Sequence, residues 1–160
     1  LYVRFDPPTG LQAVVVMPEV SVSGKKTELS RGVLPTEVSL KDAVYNLNRA
    51  ALLVAALAKG RLDLLPVATQ DKLHQPYRAS LVPGLRSVFQ AALDAGAKGV
   101  ALSGAGPSVL ALVDRDAEPV ALAMEGAFQW AGSNARSIIV DLAAEGVAVL
   151  PDTDETANGR

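Results

Sequence analysis

The stretch Gly99-Val100-Ala101-Leu102-Ser103-Gly104-Ala105-Gly106-Pro107-Ser108-Val109-Leu110-Ala111-Leu112-Val113 decides how this chain folds. Two short apolar runs flank a small polar loop. Each run is bounded by Gly or Pro and is too short for a helix, so both read as buried strands. A loop this tight joins neighbouring strands as an antiparallel pair. Inside it, Gly104 and Gly106 lack a Cβ, so the backbone can approach a ligand closely or turn through φ > 0. A concave run of amides holds an anion; a glycine-rich turn between core strands is the other reading. The loop is not a Walker A motif, because no Lys-Ser/Thr follows the glycines. It is not GxGxxG, because Val109 holds the third position.

Upstream of this pair, Ser39-Leu40-Lys41-Asp42 opens a helix, with Ser39 as its cap and Asp42 near the positive end of the dipole. Ala43, Leu47, Ala50, Ala51, Val54 and Leu57 recur at helical spacing, and Gly60 ends the run. A short helix over 61–68 is disturbed by Pro66, and a further helix over 85–95 ends at Gly96. Between them, Asp71-Lys72-Leu73-His74-Gln75-Pro76-Tyr77-Arg78 is the most polar interior cluster, and Pro76 makes its second half a turn or a helix end. Asp71 reads as a helix cap or local acceptor. His74 reads as a hydrogen-bonding residue with no carboxylate placed beside it by sequence. Downstream, Asp116 caps a helix over 117–130, and 137–142 and 147–150 read as strands around the turn Ala144-Glu145-Gly146. At the N-terminal end, Leu1–Phe5 and Leu11–Met17 read as a hairpin around Asp6-Pro7-Pro8-Thr9-Gly10. The expected fold is α+β: a largely antiparallel sheet with helices on one face.

With 160 residues, the chain is about one domain. Its net charge of −2 gives no electrostatic footprint for nucleic acid or an anionic membrane. Its longest apolar run, Ala50–Ala58, is far shorter than the roughly 20 residues that span a bilayer. No signal-peptide pattern opens the chain. Apolar residues make up 49% of it and mean hydropathy is +0.25, which points to a face that docks on something. Cysteine is absent and there is one histidine, which excludes disulfides and leaves little for a transition-metal site. Ser103 has no predicted base and Gly-x-Ser-x-Gly is missing, so a Ser-His-Asp hydrolase does not fit.

Arg31 and Arg78 each sit in a short segment bounded by prolines. A guanidinium fork matches a carboxylate, and an ordinary surface arginine is the alternative for either one. Their order along the chain adds information. Thr27, Arg31 and Leu34-Pro35 come first, then Asp71 with Leu73-His74-Gln75-Pro76-Tyr77-Arg78, then Val82-Pro83-Gly84, then Gly96-Ala97 and Leu102-Ser103-Gly104-Ala105-Gly106-Pro107-Ser108. In this order the chain resembles homoserine kinase, of the GHMP small-molecule kinase superfamily, from about Val14 to Val149. The loop resembles the third signature of the superfamily, and the Arg31 and Arg78 contexts resemble homoserine kinase in particular.

The resemblance implies a lower lobe built as a sheet backed by helices. It implies transfer of the ATP γ-phosphoryl group, with Mg²⁺, to the side-chain hydroxyl of L-homoserine, on the way to threonine, in the cytoplasm. Arg31 and Arg78 match the two arginines that hold the substrate carboxylate. Ser103, Gly104, Ala105 and Gly106 match the loop beside the phosphate site. No catalytic base and no metal ligand is assigned. The superfamily's Pro-x-x-x-Gly-Leu-Gly-Ser-Ser-Ala run is not found here, nor is the upstream segment bearing the amino-acid-binding Asn and Asp. Gly24-Lys25-Lys26 looks inserted, and the chain opens at Leu1 rather than Met. The expectation is therefore a C-terminal lobe. Residues 1–17 would continue from an N-terminal lobe, 18–150 would form the GHMP C-terminal domain, and 151–160 would be a flexible tail. Such a lobe alone would be inactive. Family members are often homodimers, and the sequence leaves the oligomeric state open. Two alternatives stay open as well: the lobe of a mevalonate-type GHMP kinase, and a noncatalytic module that binds an amino acid.

Overall fold

The computed structural model describes residues 3–19 and 26–146. Strands β1 (Gln12–Pro18), β2 (Gly99–Leu102), β3 (Val109–Val113) and β4 (Ala135–Asp141) form one antiparallel sheet in the order β2-β3-β1-β4. Alternation in β1 and β3 sends Val14, Val16, Val109, Ala111 and Val113 to one face, where each is almost completely buried. Two helices cover that face. α5 (Leu85–Asp94) contributes Leu85, Val88 and Ala92, and α6 (Glu118–Trp130) contributes Val120, Ala121, Met124 and Phe128. These positions recur at three and four residues, which is why one side of each helix is apolar. The α+β expectation holds, with an antiparallel sheet and helices against its packed face.

The anticipated N-terminal hairpin does not form. The turn is real: the Leu11 N–H donates to the Pro8 carbonyl at 3.2 Å. Residues 3–8, however, are not a strand, and Phe5, Pro7 and Pro8 share a small cavity with Val54, Leu57 and Leu142. β1 finds its partners far along the chain instead, with Val15 opposite Leu110 on one side and Ile138 on the other. A central strand satisfies both of its edges this way, which a two-stranded hairpin cannot do. The predicted strand over 147–150 and the Gly24-Lys25 insertion lie outside the described residues.

The helix predicted from Ser39 is α2 (Leu40–Ala58). Its Asp42 N–H donates to Ser39 Oγ at 3.1 Å, and the Ser39 hydroxyl donates to the Asp42 carboxylate at 2.7 Å. Its apolar positions are not buried as a face. Leu40, Val44, Leu47, Ala51, Val54 and Ala58, alternately four and three residues apart, are all exposed, with Leu40 at 81% and Leu47 at 69%. This is the apolar surface that the composition anticipated.

A 3₁₀ turn over Leu62–Leu64 leads into the single turn α3 (Leu65–Ala68), where Pro66 stands in the first turn, a position proline tolerates. In α4 (Gln75–Arg78), Pro76 likewise begins a helical turn rather than ending one. Asp116 does not cap α6. Ala117 occupies the cap position with no side-chain bond, because the helix starts one residue later than the acidic signal suggests.

Candidate functional site

The site is built around Arg78, at the end of α4. Its Nε donates to the carbonyl of Ser30 at 3.2 Å, and its Nη1 donates to the carbonyl of Gly104 at 3.2 Å. Ser30 lies within α1 (Lys26–Gly32), next to Arg31, and is buried. Three segments far apart in sequence therefore converge on one guanidinium: the Arg31 helix, the turn bearing His74 and Arg78, and the glycine loop. Arg31 itself is exposed at the end of α1.

Nη1 of Arg78 also lies 3.2 Å from Nδ1 of His74. Arginine only donates, so Nδ1 is the acceptor and the neutral ring carries its proton on Nε2. That nitrogen is 3.7 Å from Asp71 Oδ1, so a carboxylate does stand beside His74 once the chain turns. With Nε and Nη1 engaged, Nη2 is the guanidinium nitrogen without a hydrogen bond among the described residues.

Asp71 sets the position of this turn. Oδ2 accepts from the backbone N–H groups of His74 at 2.8 Å and Gln75 at 2.6 Å, and Oδ1 accepts from Asn46 Nδ2 at 2.5 Å. Burial, the largest single influence on this carboxyl, works against its charge. The two backbone donors, the Asn46 amide and the His74 ring together outweigh it and hold Asp71 below the usual carboxylate range. Asn46 Oδ1 accepts in turn from the Lys72 N–H at 2.9 Å, and the Tyr45 hydroxyl donates to Gln70 Oε1 at 2.5 Å. The inner side of α2 thus fastens the 70–75 segment while its apolar stripe faces outward.

Gln75 links this turn to the sheet. Its buried amide oxygen accepts from the Leu102 N–H at 2.8 Å, and Thr69 Oγ1 accepts from the Val100 N–H at 3.4 Å. Both donors lie on the outer edge of β2, just before the loop. Asn46 carried no sequence signal, and Gln75 stood only as one member of the polar 71–78 cluster, because an amide gains its role from a partner 25 or 27 residues away.

The loop is closed by the Ser103 N–H on the Ser108 carbonyl at 2.8 Å and by the Gly106 N–H on the Ser103 carbonyl at 3.2 Å. The Gly106–Pro107 peptide is cis. Of the four residues matched to a phosphate loop, Ser103 and Gly106 therefore use their amides internally. The N–H groups of Gly104 and Ala105 have no partner among the described residues. Among those residues, no group of three or more His, Asp or Glu side chains is placed to hold a metal ion. No helix among them is long and apolar enough to cross a membrane.

The family of GHMP kinase C-terminal domains matches residues 53–129, a span that includes Asp71, Arg78 and the loop. The chain carries a GHMP kinase C-terminal domain. It is 76% identical to the homoserine kinase of Symbiobacterium thermophilum over 150 residues, which cover 94% of this chain and 46% of that protein. It is 53% identical to the homoserine kinase of Deinococcus radiodurans, over 71% of this chain and 36% of that one. The crystal structure of homoserine kinase from Cytophaga hutchinsonii superposes with a TM-score of 0.83 at 32% identity, over 90% of this chain and 45% of that one. This domain thus spans about half the length of the homoserine kinases it matches. The L. major mevalonate kinase shares the fold at a TM-score of 0.51 and 17% identity.

Proposed function

We propose that this domain is the substrate-carboxylate lobe of an ATP-dependent homoserine kinase, a cytoplasmic enzyme of threonine biosynthesis. The observation that carries the reading is the junction at Arg78, where the Arg31 helix, the His74 turn and the glycine loop meet on one guanidinium. A single anchor of this kind would set the spacing between a bound carboxylate and a bound phosphate. In the reaction, the side-chain hydroxyl of L-homoserine forms a bond to the γ-phosphorus of ATP. The bond from that phosphorus to the β–γ bridging oxygen breaks and the hydroxyl proton is released, giving O-phospho-L-homoserine, ADP and H⁺. Such a transfer depends on positioning and charge neutralisation.

Here Arg78, through Nη2, and Arg31 would hold the carboxylate. The Gly104 and Ala105 amides would face a phosphate oxygen, in the manner of backbone nests. Among the described residues no group of three or more acidic or histidine side chains is assembled, whereas Mg²⁺ beside a nucleotide needs only one or two carboxylates together with phosphate oxygens and water. In this reading the main ATP contacts and the metal would come from the other half of the longer relatives. The outward stripe of α2 is a natural face for that half.

The test is ADP release by this chain with Mg-ATP, with and without L-homoserine, alongside homoserine binding by calorimetry. Homoserine binding without turnover supports a carboxylate lobe that lacks its ATP half. Homoserine-dependent ADP release overturns the division of labour. Tighter binding of mevalonate than of homoserine overturns the substrate.

A further inference from the structure

A second cavity, of about 370 Å³, lies between α3, α4 and α5 against the outer edge of β2. On the α4 turn, Gln75, Pro76 and Ala79 face it, whereas His74 and Arg78 lie on the opposite side, as the 100° step of a helix requires. Leu85, Phe89 and Leu93 give it an apolar floor. Lys72 and Arg86 stand on its rim.

Size and lining are those of a small-molecule site: mostly apolar, with a few polar groups. The charge around it is specific. Asp71 also lines the cavity, but its oxygens already accept from two backbone N–H groups and Asn46. Lys72 stands 3.6 Å from Asp42 and over the Tyr45 ring. Arg86 is exposed and makes no hydrogen bond or ion pair among the described residues. An apolar chamber with an uncommitted guanidinium at its mouth suits a compact molecule with a hydrocarbon body and one negative charge.

We propose that this cavity binds a small amphipathic monocarboxylate, and that Gln75 transmits its occupancy to the glycine loop. Gln75 lines the cavity and accepts the Leu102 N–H, the last amide of β2 before Ser103. A ligand pressing on Gln75 and Pro76 moves the turn whose other side carries Arg78. The site thus sits behind the candidate active site and shares one helical turn with it.

The test is a titration of the ¹⁵N-labelled chain with 3-phenylpropionate, with the uncharged 3-phenylpropionamide as control. The expected result is saturable shifts at the amides of Gln75, Ala79 and Phe89 and at the Leu102 N–H, with affinity in the millimolar range or tighter. Arg86→Ala, at an exposed position, weakens binding by about tenfold, and Arg86→Glu abolishes it with the fold intact. Absence of saturable shifts overturns the site. Equal binding of the amide overturns the role of Arg86, and a Leu102 resonance that stays fixed at saturation overturns the coupling.

Discussion

Nη1 of Arg78 donates to the carbonyl of Gly104 at 3.2 Å, so the arginine of the α4 turn holds the glycine loop by its backbone. The same side chain holds Ser30, and through it the helix bearing Arg31. Replacing Arg78 with Ala releases three contacts at once. The expected cost to this chain is about 1–3 kcal/mol, read as a lower urea midpoint. In a full-length kinase carrying this domain, the same change raises the homoserine KM far more than the ATP KM. Equal effects on both would remove Arg78 from the carboxylate site.

Gln75→Ala leaves the buried Leu102 N–H without an acceptor. The expected destabilisation is about 1–3 kcal/mol. Hydrogen exchange at Leu102 should accelerate well beyond exchange at Val14, which lies on the central strand. Unchanged protection at Leu102 would show that another group can replace the glutamine.

Two glycines should respond differently to alanine. Gly84 has φ +77°, and a Cβ there would stand 2.5 Å from the Ala131 Cβ, an atom fixed to the backbone. The cost of strain and overpacking together is about 2–4 kcal/mol. Gly106 also has φ +77°, but its nearest neighbour, at 3.2 Å, is the end of the Leu102 side chain, which can rotate away. Gly106→Ala should cost about 1–2 kcal/mol, mostly backbone strain. Thermal unfolding of both variants checks the order, and the reverse order would place the tighter contact in the loop.

Asp71 gives the pH dependence a definite sign. Its carboxyl titrates lower in the fold than the value of about 3.9 in an unfolded chain. Its contribution to stability is therefore present above that value and is lost as pH falls through the lower, folded one. Asp71→Asn should flatten the acid limb of a stability-versus-pH curve and leave the shape near neutrality unchanged. An acid limb of the same steepness in the variant would assign it to other carboxylates.

The elements that build the packed face were legible because short apolar runs and helix stops are local properties. Residues 109–113 announce a buried strand as one continuous apolar run, and residues 85–95 a helix ending at Gly96, but only the structure separates buried Val109, Ala111 and Val113 from half-buried Leu110 and Leu112. The Ser39 cap was legible for the same reason. The pairing of β1 was not, because residues 11–17 show a strand without showing whom it joins. The exposure of α2 illustrates the same limit: an apolar stripe marks a face that needs a cover, and the pattern does not say whether this stretch of chain provides one. In the site, Arg78 stood out as a charge in a proline-bounded segment. Asn46 and Gln75 are neutral, and their roles arise from bonds to distant segments.

The side chains of Thr69 and Gln75 on β2 have one more consequence. They plug the donors along one side of the sheet, as a strand would, without offering a new row of amides. Among the described residues, the opposite margin at β4 is paired only inward, to β1. The two margins of the sheet therefore differ. The edge at residues 135–141 is the one whose outward backbone groups no described side chain caps, the kind of edge that can accept a further strand.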